Sequence, residues 1–208
     1  MAIIALSGYA KSGKNTVATI IQYLLTHSPT DNLESIVKNY DVNGWWLEGE
    51  SGWEQKGFAD KLKQVAYILT GIPAENFSDQ DFKLTDLPPQ WSNHGMPMTV
   101  REFLQKLGTD ALRDGLHPNT WVNALMSDYK PDSKWIITDC RFINEANAVK
   151  KENGIIVRIN RPGIVPVNSH SSETGMDGYE FDYVIDNYGN FNDLVLKVQA
   201  LLIKYMIL

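Results

Sequence analysis

The nonapeptide GYAKSGKNT, residues 8–16, contains the residue types needed to grip a phosphate chain. Gly8, Gly13 and Lys14 satisfy the pattern G-x-x-x-x-G-K. In that pattern a glycine turn aims several backbone N–H groups into one concavity, and the lysine neutralises the terminal phosphates. The pattern then asks for Ser or Thr, whereas this chain has Asn15 and places Thr16 one position later. The candidate cradle is Gly8, Ala10, Lys11, Ser12, Gly13, Lys14, Asn15 and Thr16. Thr16 would meet phosphate or hydrated Mg2+ from the first turn of the following helix. A purely structural glycine turn is the competing reading. The apolar run before the loop and the amphipathic run after it favour a nucleotide loop.

Three further groups could join that chemistry. Asp139 closes the apolar run KWIITD, where a carboxylate can hold Mg2+ directly or through water, or simply cap the strand. Arg141 lies two residues beyond, and its planar fork suits a pair of phosphate oxygens. An ion pair with Glu145 would explain it equally well, and Asn144 and Glu145 could cap the next helix. Arg161, in NRPG, follows the run GIIVRIN and so stands at a strand's ligand-facing end.

These residues need a scaffold, and the hydrophobic pattern supplies one. AIIALS (2–7), KWIITD (134–139), GIIVRIN (154–160) and YVIDN (183–187) read as buried strands. Residues 16–25, NEANAVKKEN (144–153) and FNDLVLKVQALLIKYM (191–206) read as helices. Strands alternating with helices predict an α/β fold with a parallel sheet covered on both faces. The middle differs. WWLEGESGW (45–53) reads as a loop or hairpin, and residues 57–71 as helix after their first positions. Residues 77–98, polar and proline-bearing, read as a surface excursion. TVREFLQKLGTDALRDG (99–115) opens with a Thr N-cap and a Glu three residues on, and WVNALMSDY (121–129) continues as helix. The expected organisation is one domain over 1–208, with an insertion at about 40–130 and a lid-like polar segment at about 161–180.

Composition narrows the function classes. The 208 residues are 43% hydrophobic, enough for a sizeable core. The formal net charge of −6 argues against general affinity for nucleic acid, which depends on Lys and Arg neutralising phosphates. Cys140 is the only cysteine, so no internal disulfide forms, as suits a reducing compartment. No apolar run approaches the ~20 residues of a membrane span, and MAIIALSGYA reads as a strand and not a signal peptide. A soluble cytoplasmic protein without membrane or nucleic-acid partners is expected. His27, His94 and His117 show no metal-ligand spacing with His170.

Two resemblances sharpen the reading. GKNT (13–16) resembles the G-K-G-T of adenylate kinase-like enzymes, with the threonine second after lysine. The set GYAKSGKNT, FADKLK, LQKLGTDALRDG, TDCRFINEA and DYVIDNYGN resembles the bacteriophage deoxynucleoside-monophosphate kinases, in pieces from residue 3 to about 195. That resemblance implies a P-loop NTPase three-layer fold with a mostly parallel sheet, a helical substrate-binding insertion and a short lid. It implies ATP and Mg2+, a deoxynucleoside monophosphate as acceptor, a homodimer, and the cytoplasm of an infected host.

Carried over by position, the resemblance puts Lys14 and Thr16 on ATP phosphates and makes Lys14, Asp139, Arg141 and Arg161 catalytic, with Thr16 and Asp139 toward the metal. Phe58, Asp60 and Lys63 border the acceptor pocket, with Arg101, Gln105, Thr109, Asp110 and Arg113 on its helical wall and Arg141 and Glu145 nearby. Trp121 would stack on a base, and Asn187 and Gly189 would hold the adenine. His170 and Glu173 resemble an H-x-x-E element of the family. Each has a plain alternative: Phe58 as core, Lys63 as solvated face, Trp121 as packing, His170 as loop. Asn15 and the Trp-rich 45–53 segment depart from the family pattern.

A phosphate acceptor, ionised at neutral pH because its second pKa is near ~6, needs no strong base. A hydroxyl acceptor, as in a nucleoside or dephospho-coenzyme A kinase, would need one, and Asp60 could serve. A non-catalytic nucleotide-binding or assembly module, with the 45–53 loop and the tail helix as partner surfaces, is the third reading.

Overall fold

The computed structural model describes residues 3–26, 51–92, 94–166 and 170–207. His27 and positions 45–50 of the Trp-rich segment lie outside the described residues. In chain order the elements are β1 (Ile3–Ser7), α1 (Lys14–Thr26), β2 (Glu54–Lys56), α2 (Asp60–Thr70), α3 (Val100–Gln105), α4 (Thr120–Met126), β3 (Trp135–Ile137), α5 (Ile143–Lys151), β4 (Ile155–Asn160), α6 (Ser171–Thr174), β5 (Tyr183–Asp186) and α7 (Phe191–Lys204). Three short 3-10 turns lie between α2 and α3, and a π-helical stretch, Lys106–Asp114, runs on from α3. Two units can be told apart: Met1–Gly57 with Tyr129–Leu208, and Phe58–Asp128.

The first unit is a five-stranded sheet in the order β2-β3-β1-β4-β5, parallel throughout. Its three central strands, β3, β1 and β4, are mainly apolar because both faces are covered. β1 is buried along its whole length. Ile4 faces Ile136 of β3 on one side and Ile155 of β4 on the other. Val17, Ile20, Ile21 and Leu24 of α1 and Leu194, Val198, Leu201 and Leu202 of α7 form one core with Ile4, Leu6, Val157 and Ile159. By strand alternation Ile3, Ala5 and Ile156 point the other way, where α5 packs on β1 and β4.

β2 is a strand that the hydrophobic pattern does not announce. Its sequence is EQK, and it holds to β3 through the register Glu54↔Trp135 to Lys56↔Ile137. The polar strand docks because α1 offers polar partners. Buried Gln22 donates to Trp53 O at 2.6 Å, and Gln55 Nε2 donates to Gln22 Oε1 at 2.7 Å and Thr19 Oγ1 at 3.2 Å.

The second unit has its own core of Ala66, Phe77, Leu87, Val100 and Phe103. Residues 77–98, read as a surface excursion, are mostly exposed but are pinned to this core by Phe77 and Leu87. Phe77 is fully buried, Leu87 N–H donates to Met98 O (2.8 Å), and Asp86 bridges antiparallel to Thr99. The Thr99 cap forms as expected, its hydroxyl accepting Glu102 N–H at 3.2 Å. The helix then widens into the π stretch, where a Cβ on Gly108 would lie 2.8 Å from Leu62 of α2. No described helix is long and apolar enough to cross a membrane.

Candidate active site

Strand order reverses at β1. β1 leads into α1 on one face of the sheet and its neighbour β3 into α5 on the other, the arrangement that opens a crevice at the carboxyl end of the central strand. Residues 8–13 run from that end into α1. Gly8 takes φ 148°, and a Cβ there would stand 2.5 Å from Ile159 O and 2.7 Å from Ser12 Oγ. Gly13 takes φ 103°, and its Cβ would meet Asn187 Nδ2 at 2.6 Å. Both glycines are therefore required by backbone and by space. The turn is completed by Lys11 at φ 65° and by Ser12 N–H donating to Tyr9 O at 3.2 Å.

Lys14 begins α1, and its ammonium reaches back over the loop to Gly8 O at 2.7 Å and Tyr9 O at 2.9 Å. The first turn of α1 carries no acidic residue, so no local carboxylate offsets its positive end. Ser12 is 1% exposed, and its hydroxyl has no hydrogen-bond partner. An orphaned hydroxyl, a cradle that a Cβ would fill, a helix N-terminus and a lysine make a chemically suitable seat for a phosphate chain. Asn15 is exposed and Thr16 partly buried.

Strand ends bring other residues to this loop. Asn187, just past β5, donates from Nδ2 to Ser12 O at 2.8 Å. Arg161, just past β4, donates from Nη1 to Lys11 O at 3.4 Å. Past β3, the ladder goes on through Cys140 N–H to Leu6 O at 3.1 Å, so Asp139 and Arg141 sit two and four residues beyond the last β3 residue, and not at its tip. Glu145, 3% exposed, accepts N–H groups from Arg141 (2.7 Å) and Phe142 (3.2 Å). Its carboxylate thus shapes the turn that carries Arg141. Burial, reinforced by the Glu145 and Asp139 charges, pushes the Cys140 thiol well up from its ordinary range.

Gly189, at φ 96°, precedes the capping box of α7, in which Asn190 and Asp193 exchange side chain-to-backbone bonds at 3.0 Å. A Cβ on Gly189 would collide with the Asp193 carboxylate. His170 caps α6, its Nδ1 accepting Ser172 N–H at 3.2 Å. The Glu173 side chain lies outside the described residues. No group of three metal-ligating side chains occurs among the described residues, and Mg2+ needs none, since it takes one or two carboxylates and completes its shell with water and substrate phosphate.

In the second unit, Phe58 is 2% exposed and Thr109 7%, while Asp60 pairs with Lys63 at 3.1 Å. Gln105 ends α3, and Asp110, within the π stretch, is exposed. Trp121 is buried, with its indole N–H on Gly108 O at 2.7 Å, so its place in this structure is beneath the π stretch. Arg101 donates from Nη2 to Gln80 Oε1 at 3.4 Å, but its buried Nε has no acceptor. Arg113, in the π stretch, is partly buried and makes interactions of its own. A buried donor left without a partner costs about 1–3 kcal/mol, which an incoming anion would recover. Sequence reasoning passed over Tyr9, Arg158 and Asp177. Tyr9 stands at an unspecified position of the glycine pattern, and no local signal links it to residues 149 or more positions away.

A family model described as deoxynucleotide monophosphate kinase matches residues 61–198, a span that begins after the glycine loop. A protein of Acanthamoeba polyphaga mimivirus, provisionally named a deoxynucleotide monophosphate kinase, is 31% identical over 202 residues, covering 90% of this chain and 89% of that protein. The deoxynucleotide monophosphate kinase of Enterobacteria phage T4 is 28% identical over 126 residues, 56% of this chain and 49% of its own. That of Escherichia phage RB69 is 25% identical over 109 residues, 50% of this chain and 45% of its own.

Proposed function

Because this chain belongs to the deoxynucleotide monophosphate kinase family, we propose that it moves the γ-phosphoryl group of ATP to a deoxynucleoside 5′-monophosphate. The products are ADP and the deoxynucleoside diphosphate. The observation that carries the reading is the glycine loop at the strand-order reversal, with Lys14 laid across Gly8 O and Tyr9 O.

In the reaction an oxygen of the acceptor phosphate bonds to the γ-phosphorus, and the bond from that phosphorus to the β–γ bridging oxygen breaks. The acceptor is already ionised at neutral pH, so alignment and charge neutralisation carry the catalysis and no strong base is needed. Phosphate oxygens are stronger acceptors than the two carbonyls that Lys14 now serves, so binding would draw its ammonium onto them. Backbone N–H groups of residues 8–14 and the α1 N-terminus would hold the nucleotide phosphates. Mg2+ bound with the nucleotide would neutralise β- and γ-oxygens, and Thr16 and Asp139 are the hard oxygen donors this chain offers it. Arg141, from the turn shaped by Glu145, and Arg161, just past β4, would add positive charge. For the acceptor phosphate the strongest support is the unsatisfied Nε of Arg101. A hydroxyl acceptor would call on Asp60 as base, and that carboxylate is engaged by Lys63.

The test is a coupled ADP-release assay with MgATP, screening dAMP, dGMP, dCMP, dTMP, hydroxymethyl-dCMP and the ribonucleotides, each product identified by chromatography. A diphosphate from at least one deoxynucleotide is expected. Lys14→Ala should lower turnover by at least about 100-fold, the scale of losing one electrostatic stabiliser. Intact ATP binding with no transfer to any monophosphate would overturn the proposal.

A further inference from the structure

The glycine loop has little internal support. Lys11 holds a left-handed conformation without being glycine, and Lys14 braces the turn only while its ammonium stays on the Gly8 and Tyr9 carbonyls. Once phosphate oxygens take that ammonium, the turn keeps the Ser12 N–H to Tyr9 O bond and otherwise depends on groups outside it. Asn187 and Arg161 are two such groups. A further tether uses residues to which the reaction assigns no part.

Tyr9 donates its phenol proton to Asp177 Oδ1 at 2.9 Å. Its ring lies 4.5 Å from the guanidinium carbon of Arg158, a side chain only 12% exposed. Arg158 in turn stands 3.9 Å from the same Asp177 oxygen, donates from Nε to Asn160 Oδ1 at 3.3 Å, and lies 5.5 Å from the Phe181 ring. Asp177 follows α6 in a segment that also touches Arg141. Arg141 Nη1 donates to Ser172 O at 3.2 Å, and a Cβ on Gly175 would stand 2.8 Å from Arg141 O. Met176, 3% exposed, anchors the segment beside Asp177. A single stretch of chain, residues 170–182, therefore reaches the glycine loop through Asp177 and Arg141 through Ser172.

We propose that Tyr9 is a positioning residue: through Asp177 and Arg158 it fixes the glycine loop to the segment that holds Arg141, so that both are set for the nucleotide together. The inference rests on the reading that this loop holds ATP. A phenol donating to a carboxylate is a charge-assisted bond, stronger and more directional than a neutral one. The stacked guanidinium keeps both the ring and the carboxylate in place.

The test uses Tyr9→Phe, which keeps the ring over Arg158 and removes only the donor, and Asp177→Asn, which removes the charge. Calorimetric titration with MgATP should show each variant binding about 3- to 10-fold more weakly, the scale of one hydrogen bond. The double variant should be no weaker than the worse single one, because both remove the same link. KM for the monophosphate should stay within about twofold, and the melting temperature should fall by no more than about 4 °C, the scale of one hydrogen bond and too little to reflect general loosening. Parent-like affinity in Tyr9→Phe would overturn the proposal. So would losses that multiply in the double variant, or weaker binding that merely tracks a fall in melting temperature. A parent chain that binds no MgATP would overturn both this inference and the kinase reading. A parent that binds it but phosphorylates no monophosphate would overturn the acceptor assignment alone, since this titration scores nucleotide binding.

Discussion

Replacing Gly13 by alanine adds one methyl group where backbone and space both oppose it. At φ 103° an L-residue is held in a sparsely populated region, at a cost of about 1–3 kcal/mol. The new Cβ would also stand 2.6 Å from Asn187 Nδ2, so that amide must withdraw from Ser12 O. Losing that hydrogen bond adds about 1 kcal/mol. Gly13→Ala should therefore destabilise the protein by about 2–4 kcal/mol. For a chain of this length the melting temperature should fall by about 4–16 °C. Asn187→Ala alone should cost about 1 kcal/mol. The shared hydrogen bond can be lost only once, so the double variant should be about as stable as Gly13→Ala, with a coupling of about 1 kcal/mol. Thermal melts of the four proteins, followed by tryptophan fluorescence, give the cycle. An additive double variant, or a Gly13→Ala protein within about 0.5 kcal/mol of the parent, would refute the idea that Asn187 fills the space over Gly13.

Two other outcomes can be checked on the same preparation. Glu145→Gln replaces a buried carboxylate that serves two backbone N–H groups, and should cost about 1–3 kcal/mol in stability while lowering kcat/KM through the displaced Arg141 turn; an unchanged melting temperature would remove that role. Cys140 should resist thiol reagents in the native state and react on unfolding, because burial holds it as the neutral thiol. The sign for stability follows from the raised folded-state value. The unfolded thiol ionises above about pH 8.5 while the folded one does not, so the contribution of Cys140 is whole below that pH and falls by up to about 1.4 kcal/mol per unit above it. Urea melts of parent and Cys140→Ala between pH 7 and 10 should diverge in slope, and parallel profiles would refute the assignment.

The core was legible because β1, β3 and β4 are apolar runs, broken only toward their carboxyl ends, of the kind strands buried on both faces use. The glycine loop was legible because its constraint is local: two positions that cannot carry a Cβ, the second followed directly by a lysine. β2 was not, because EQK carries no apolar signal and owes its place to Gln22 and Thr19, more than 30 residues away. Residues 106–114 keep a helical pattern that does not distinguish π from α. What accompanies the wider turn is tertiary: Leu62 against Gly108, and the Trp121 indole on the Gly108 carbonyl. The tethers of the glycine loop were hidden for the same reason. Tyr9–Asp177 and Ser12–Asn187 join residues 168 and 175 positions apart, and a lone Tyr, Asp or Asn in sequence says nothing of its distant partner.

The strand order also sets a timetable for synthesis. β1 pairs on one side with Trp135–Ile137 and on the other with residues 155–158, so neither neighbour exists when residues 3–7 leave the ribosome. At about 5–20 residues per second the delay until Trp135 is made is on the order of ten seconds. During that interval the most buried strand of the mature protein is a bare apolar segment with two open edges. A nascent chain stalled before β3 would therefore present Ile3–Ser7 to holding chaperones, or to its sister chains on the same polysome.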